Sequence, residues 1–159
     1  MSDDQAKRTE SDEATLGRIE TEVALLMRLG EATRRATGSA EHRVLDRAAY
    51  VILRHLDATG PQNVSALAAR LNLDGSTVTR QVSALQRDGL IARAPDPADG
   101  RGTVISPTPA GLHRMAAVRA ARTRLYGDIL ADWPPTDRDT LATLLGRLNQ
   151  ALDSRTRRR

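Results

Sequence analysis

The 159-residue chain contains no cysteine and no phenylalanine. Without thiols it forms no disulfide, no thiolate metal site and no thiol redox sensor. With Tyr50, Tyr126 and Trp133 as its only aromatic residues, its core must be aliphatic, built from Leu, Val, Ile and Ala. That mix favours helices packed on helices. No apolar run approaches the ~20 residues a bilayer span needs. The polar, acidic opening "MSDDQAKRTESDEAT" does not read as a signal peptide, so a cytoplasmic protein with no membrane partner is expected. Lysine is nearly absent as well: Lys7 stands alone among arginines, as a GC-rich genome would produce. The net charge is +4, but Arg155, Arg157, Arg158 and Arg159 of the tail "SRTRRR" account for all of it. Bulk charge is therefore no argument for nucleic acid; only local clustering can be.

Catalytic and metal constellations are missing too. His42, His55 and His113 are the only histidines, spread over three helices or their ends, with no H-x-x-x-H or carboxylate spacing. They read as ordinary exposed side chains. There is no nucleophile elbow, no phosphate loop and no evident carboxylate pair. "RDGL" (Arg87 to Leu90) is a helix stop. The expectation is a protein that is not an enzyme and uses no cofactor or metal.

What is present is a run of amphipathic helices, long enough for one domain with its own core. Residues 1–12 read as a disordered acidic arm. From about Ala14 the spacing of Leu16, Ile19, Val23, Leu26 and Gly30 gives one helical stripe, broken by "ATGSAEH". A second stripe, Leu45, Ala48, Ala49, Ile52, Leu53 and Leu56, stops at Gly60-Pro61. A short helix follows in "VSALAARL", capped by Asn63 or Ser65. "NLDG" turns the chain into a helix over roughly residues 74–87, ended by Gly89. "LIARA" and "TVIS", separated by "PDPADGRG", form a small β-hairpin. Thr108-Pro109 opens a long helix carrying Leu112, Met115, Val118, Leu125, Ile129 and Trp133. After "PP", Thr136 caps a last helix with the stripe Leu141, Leu144, Leu145, Leu148 and Leu152.

The helix over residues 74–87 has an unusual composition. At 100° per residue, Val78, Val82 and Leu85 share one face. Ser76, Arg80, Ser83 and Arg87 fall opposite, flanked by Thr77, Thr79 and Ala84. A merely solvated face uses long charged side chains, and Thr is a mediocre helix former. Short hydroxyls around one Arg instead let a helix backbone approach a major groove closely, with Arg80 able to fork onto a guanine edge. The preceding helix offers Leu67, Ala68 and Leu71 to the apolar face. Together the two make a helix-turn-helix, and the hairpin makes it winged.

"VSALAARLNLDGSTVTRQVSALQRDGLIARAPDPADGRGTVISPTPAG" resembles the signature region of the MarR (multiple antibiotic resistance regulator) family of transcription factors. The likeness covers the helix-turn-helix, the Asp-x-Arg wing tip (Asp99, Arg101) and the Thr-x-x-Gly that opens the next helix (Thr108, Gly111). Two positions depart from the family pattern: Gly100, where a second Arg is frequent, and Pro107, where Leu is usual. The first weakens the wing's phosphate grip; the second stiffens the hairpin's exit. The resemblance implies a mainly α fold over residues 13–153, with a DNA-binding lobe at about 45–107 and dimerisation helices at about 14–36 and 108–153. Residues 154–159 form a basic tail. It further implies a homodimer, a double-stranded inverted-repeat operator, and repression relieved by a small phenolic or aromatic effector whose pocket residues are unknown. The expected DNA-binding residues are Ser65, Ser76, Thr77, Thr79, Arg80, Ser83, Arg87, Arg93, Asp99 and Arg101. The expected dimer interface is Leu16, Ile19, Val23, Leu141, Leu144, Leu145, Leu148 and Leu152; these stripes need partners that two-fold pairing can supply. A winged-helix protein-interaction module and a ligand-independent architectural DNA-binding protein are the rival readings.

Overall fold

The computed structural model describes residues 3–36, 45, 47–97, 100, 102–156 and 158. It divides into two units, Met1–Arg43 and Val44–Arg159. The first contains one long helix, α1 (Asp3–Ala36). This helix begins well ahead of Ala14, and residues 3–12, read from the sequence as a disordered arm, are helical. No Gly or Pro interrupts the chain before Gly17, so nothing halts propagation toward the N-terminus.

The second unit runs α2 (Arg47–Thr59), α3 (Val64–Leu71), α4 (Gly75–Arg87), β1 (Ile91–Pro95), β2 (Thr103–Pro107), α5 (Pro109–Ile129) and α6 (Pro135–Thr156). Leu45, Ile52, Leu53 and Leu56 meet Leu67 and Ala68 of α3, Val78, Val82 and Leu85 of α4, the hairpin residues Ile91 and Ile105, and Val118 of α5 in one aliphatic core. Tyr50 is the aromatic residue nearest to it, half-buried at its edge, with the Arg122 guanidinium 4.5 Å above its ring. That cation–π contact joins α2 to α5.

Local chemistry sets each boundary. The Asn63 side chain caps α3 by accepting from the Ala66 N–H at 2.7 Å, so Ser65 is left exposed in the first turn. The turn into α4 is not made by its glycine. Asn72 takes the left-handed conformation (φ 51°), its N–H bonded to the Ala69 carbonyl and that of Leu73 to the Ala68 carbonyl. This is a Schellman stop with Asn in the αL place, while Gly75 is already the first residue of α4. A second Schellman stop ends α4: Gly89 (φ 69°) bonds back to Gln86 and Leu90 to Leu85.

β1 and β2 pair antiparallel in the register Ile91↔Pro107, Arg93↔Ile105 and Pro95↔Thr103. Gln62 adds one bridge to the other side of β2, exchanging both backbone bonds with Ile105. Its side-chain Oε1 accepts from His55 Nε2 at 3.3 Å, and its Nε2 donates to Thr59 Oγ1 at 2.8 Å. His55, read from the sequence as an ordinary exposed histidine, is thus half-buried and tied to this junction. His113 is exposed, and His42 lies outside the described residues.

Thr108 caps α5 with Pro109 just inside, as the sequence predicts. Of the stripe expected on α5, Val118 is buried and Met115 and Leu125 are half-buried, whereas Leu112, Ile129 and Trp133 are exposed. The helix ends at Ile129, so Trp133 lies in the turn beyond it. The final helix also starts earlier than expected. It begins at Pro135, with the Pro134 carbonyl accepting from Asp137 and Arg138, so Thr136 is inside the first turn and not the cap. Asp137 is its first-turn acid. No residue of α6 is buried.

Candidate nucleic-acid interface

α4 is held from below by its apolar face. Val78 and Val82 are wholly buried and Leu85 nearly so. Ser76, Thr79, Arg80, Ser83 and Arg87 are exposed on the other side, with Thr77 half-buried at its margin. Among the described residues Arg80 and Arg87 have no hydrogen-bond or ionic partner within the chain, so both guanidiniums are available to a ligand. The outward face is short and polar, as its spacing implies.

At its N-terminal end this face differs from an open row of hydroxyls. Asp74 is the N-cap of α4, accepting from the Thr77 N–H at 2.8 Å and from the Ser76 hydroxyl at 2.6 Å. Hydrogen bonds from the Ser76 side chain, then from the Thr77 side chain and backbone, hold the Asp74 carboxyl far below the usual carboxylate range. The Ser76 proton is therefore committed. Its oxygen keeps acceptor capacity toward base amino groups but offers no donor to a phosphate. Thr79 and Ser83 have no such internal partner among the described residues and keep their hydroxyl donors.

The hairpin stands beside the end of α4. Arg93, on β1, donates from Nε to Gln86 Oε1 on α4 at 2.7 Å. The Gln86 side chain was not among the residues that the sequence singles out; its part depends on β1 folding back beside α4. The loop at the far end of the wing is closed by Asp96 N–H to Gly102 carbonyl at 2.9 Å and Gly100 N–H to Asp96 carbonyl at 2.7 Å. Asp99 and Arg101 lie outside the described residues. Behind the wing, the Thr108 hydroxyl donates to the Gly89 carbonyl at 2.7 Å and accepts from the Gly111 N–H at 3.0 Å, while the Thr108 N–H donates to the Leu90 carbonyl at 3.0 Å. These bonds fasten the start of α5 to the end of α4. They give the Thr-x-x-Gly spacing a physical reason.

Among the described residues there is no group of three or more His, Asp or Glu able to hold a metal, and no helix long and apolar enough to cross a membrane.

Two helices meeting at a tight turn, the second presenting a polar face, with a hairpin fastened beside it, define a winged helix-turn-helix protein. The chain belongs to the MarR family, whose model matches residues 45–103. The HTH-type transcriptional regulator YxaD of Bacillus subtilis strain 168 is 37% identical over 107 residues, covering 67% of this chain and 75% of that protein. The structure of a MarR family protein from Bacillus stearothermophilus superimposes with a TM-score of 0.67, at 23% identity, over 86% of this chain and 96% of that one. The PcaV transcriptional regulator from Streptomyces coelicolor, solved in complex with its natural ligand, gives 0.61 at 27% identity, over 80% and 91%. The mainly helical fold with a two-stranded wing is the fold of these proteins.

Proposed function

We propose that the chain is a dimeric, sequence-specific DNA-binding repressor, released from its operator by a small phenolic or aromatic ligand. The observation that carries this reading is the α4 face. Its apolar side is locked into the core, and Arg80, Thr79 and Ser83 project from the opposite side with no protein partners among the described residues. Such a helix enters a major groove and reads base edges, with the wing reaching toward the adjacent minor groove. Ser65, in the first turn of α3, lies where a helix-turn-helix crosses the backbone, and Arg87 and Arg93 extend the cationic rim. The apolar stripes support a homodimer. Leu16, Ile19, Leu144, Leu145 and Leu152 are exposed, with Val23, Leu141 and Leu148 only half-buried. A PcaV-like ligand response is supported by that protein's complex with its natural ligand. A ligand that prefers one spacing of the two recognition helices lowers operator affinity by the coupling free energy.

Selection of duplexes from fragmented genomic DNA by the purified chain tests this reading. An inverted repeat with half-sites about 10 bp apart, centre to centre, is expected. Recovery of a single asymmetric site by a monomer refutes the dimer, and recovery of no preferred sequence refutes specific binding. Titrating phenolic acids into the operator complex then separates a ligand-released repressor from a ligand-independent architectural protein.

A further inference from the structure

Arg93 occupies an unusual place for an exposed arginine. It pairs directly with Ile105 across the hairpin, so the two side chains leave the sheet on the same face, which is also the face of Ile91 two residues away. Ile91 and Ile105 are in the core, yet Arg93 is exposed. Its stem starts on the core side and its head emerges beside the last turn of α4. There Gln86 Oε1 takes its Nε–H at 2.7 Å. One edge of the guanidinium is thereby anchored, and among the described residues its two terminal nitrogens have no partner. The anchor is a neutral amide. A carboxylate in its place would hold the same N–H more tightly but cancel the charge.

The position of this pair says what it meets. When a recognition helix occupies a major groove and its wing the adjacent minor groove, one sugar-phosphate strand runs between them. The bond from β1 to α4 joins those two elements, so it lies over that strand and not over base edges. We infer that Gln86 is a positioning residue of the DNA interface, presenting Arg93 to a phosphate of the strand that separates the two grooves with its charge uncompensated. This rests on the DNA-binding reading above. Arg93 grips the phosphate through its terminal nitrogens; Gln86 touches Arg93 and removes part of the disorder that binding would otherwise have to freeze.

The test measures affinity against salt concentration for a duplex selected by the wild-type chain and for an unselected random duplex. Arg93→Ala should weaken both about equally and flatten the salt slope by about 0.9 per protomer. Gln86→Ala should weaken both by up to about tenfold per protomer while keeping the wild-type slope, because the cation remains. On an Arg93→Ala background the same Gln86 change should cost nothing further. Gln86→Glu should keep the thermal midpoint and flatten the slope, a combination that a purely structural role does not produce. An unchanged slope in Arg93→Ala, or a Gln86→Ala loss that persists without Arg93, overturns the inference. If the wild-type chain itself binds duplex DNA without salt dependence, the DNA-binding reading fails before this pair is reached.

Discussion

A methyl group added at Gly111 would collide with the carbonyl oxygen of Leu90 and press on Leu53 Cδ2 at 3.3 Å. The obstacle is backbone, which cannot rotate away, so α5 would have to move off the end of α4. Gly111→Ala should cost ~1–3 kcal/mol or more of stability, read as a lower midpoint in urea at unchanged slope. Gly75 is the opposite case. It has no positive φ and open space where a Cβ would sit, so Gly75→Ala should stabilise by ~0.4–1 kcal/mol through the unfolded chain. A loss of stability there would show that this turn needs glycine after all. Asp74 carries a pH prediction. Its folded carboxyl lies below its unfolded value, so its contribution is fully present above the unfolded pKa and is lost only as pH falls through the lower, folded one. Asn caps helices as well as Asp does, so Asp74→Asn isolates the charge. Its thermal midpoint relative to wild type should stay constant from pH 7 down to about 4 and converge on wild type only in stronger acid. Convergence at mildly acidic pH would contradict the hydrogen-bonded arrangement around Asp74.

At the scale of elements, α4 and the wing are joined by the Arg93–Gln86 bond and fastened to α5 through Thr108. Arg80 is the exposed cation nearest the middle of α4, and its substitution separates base reading from phosphate holding. Arg80→Ala should cost ~1–3 kcal/mol on the selected duplex and relax preference at one position if the guanidinium forks onto a guanine. Equal loss on random DNA would make it a backbone contact. The Asp74–Ser76–Thr77 cluster changes what the first turn of the same helix offers. Its hydroxyls are drawn toward a carboxylate, so the donors left open to a ligand among the described residues lie on the middle and end of the helix and on β1. Periodicity placed Ser76 and Thr77 on the outward side correctly as to direction. It could not say where their protons point, because that depends on the cap conformation of Asp74 and on the turn at Asn72.

For the whole molecule, the unpartnered apolar residues matter most. α6 buries none of its own residues, and Leu144 and Leu152 are about half exposed, at 52% and 54%. If this surface is a dimer interface, Leu144→Asp with Leu152→Asp should convert the chain to monomer in sedimentation at micromolar concentration. Operator binding should fall far more than the intrinsic folding of the helix-turn-helix lobe. A variant that stays dimeric would place the interface elsewhere. The sequence alone determined the helical class, the buried stripe of α2, the polar face of α4, the cap of α5 at Thr108 and the extent of the hairpin. Each of these follows from local periodicity or from a residue whose backbone chemistry acts within one turn. It did not determine the start of α1 or α6, where several polar residues compete for the same capping role and propagation decides between them. Nor did it reveal that Asn72 makes the turn, that Gly111 must lie against Leu90, or that Gln86 meets Arg93. Those are contacts between segments distant along the chain or between competing backbone conformations, and only packing the lobe together brings their atoms within bonding distance.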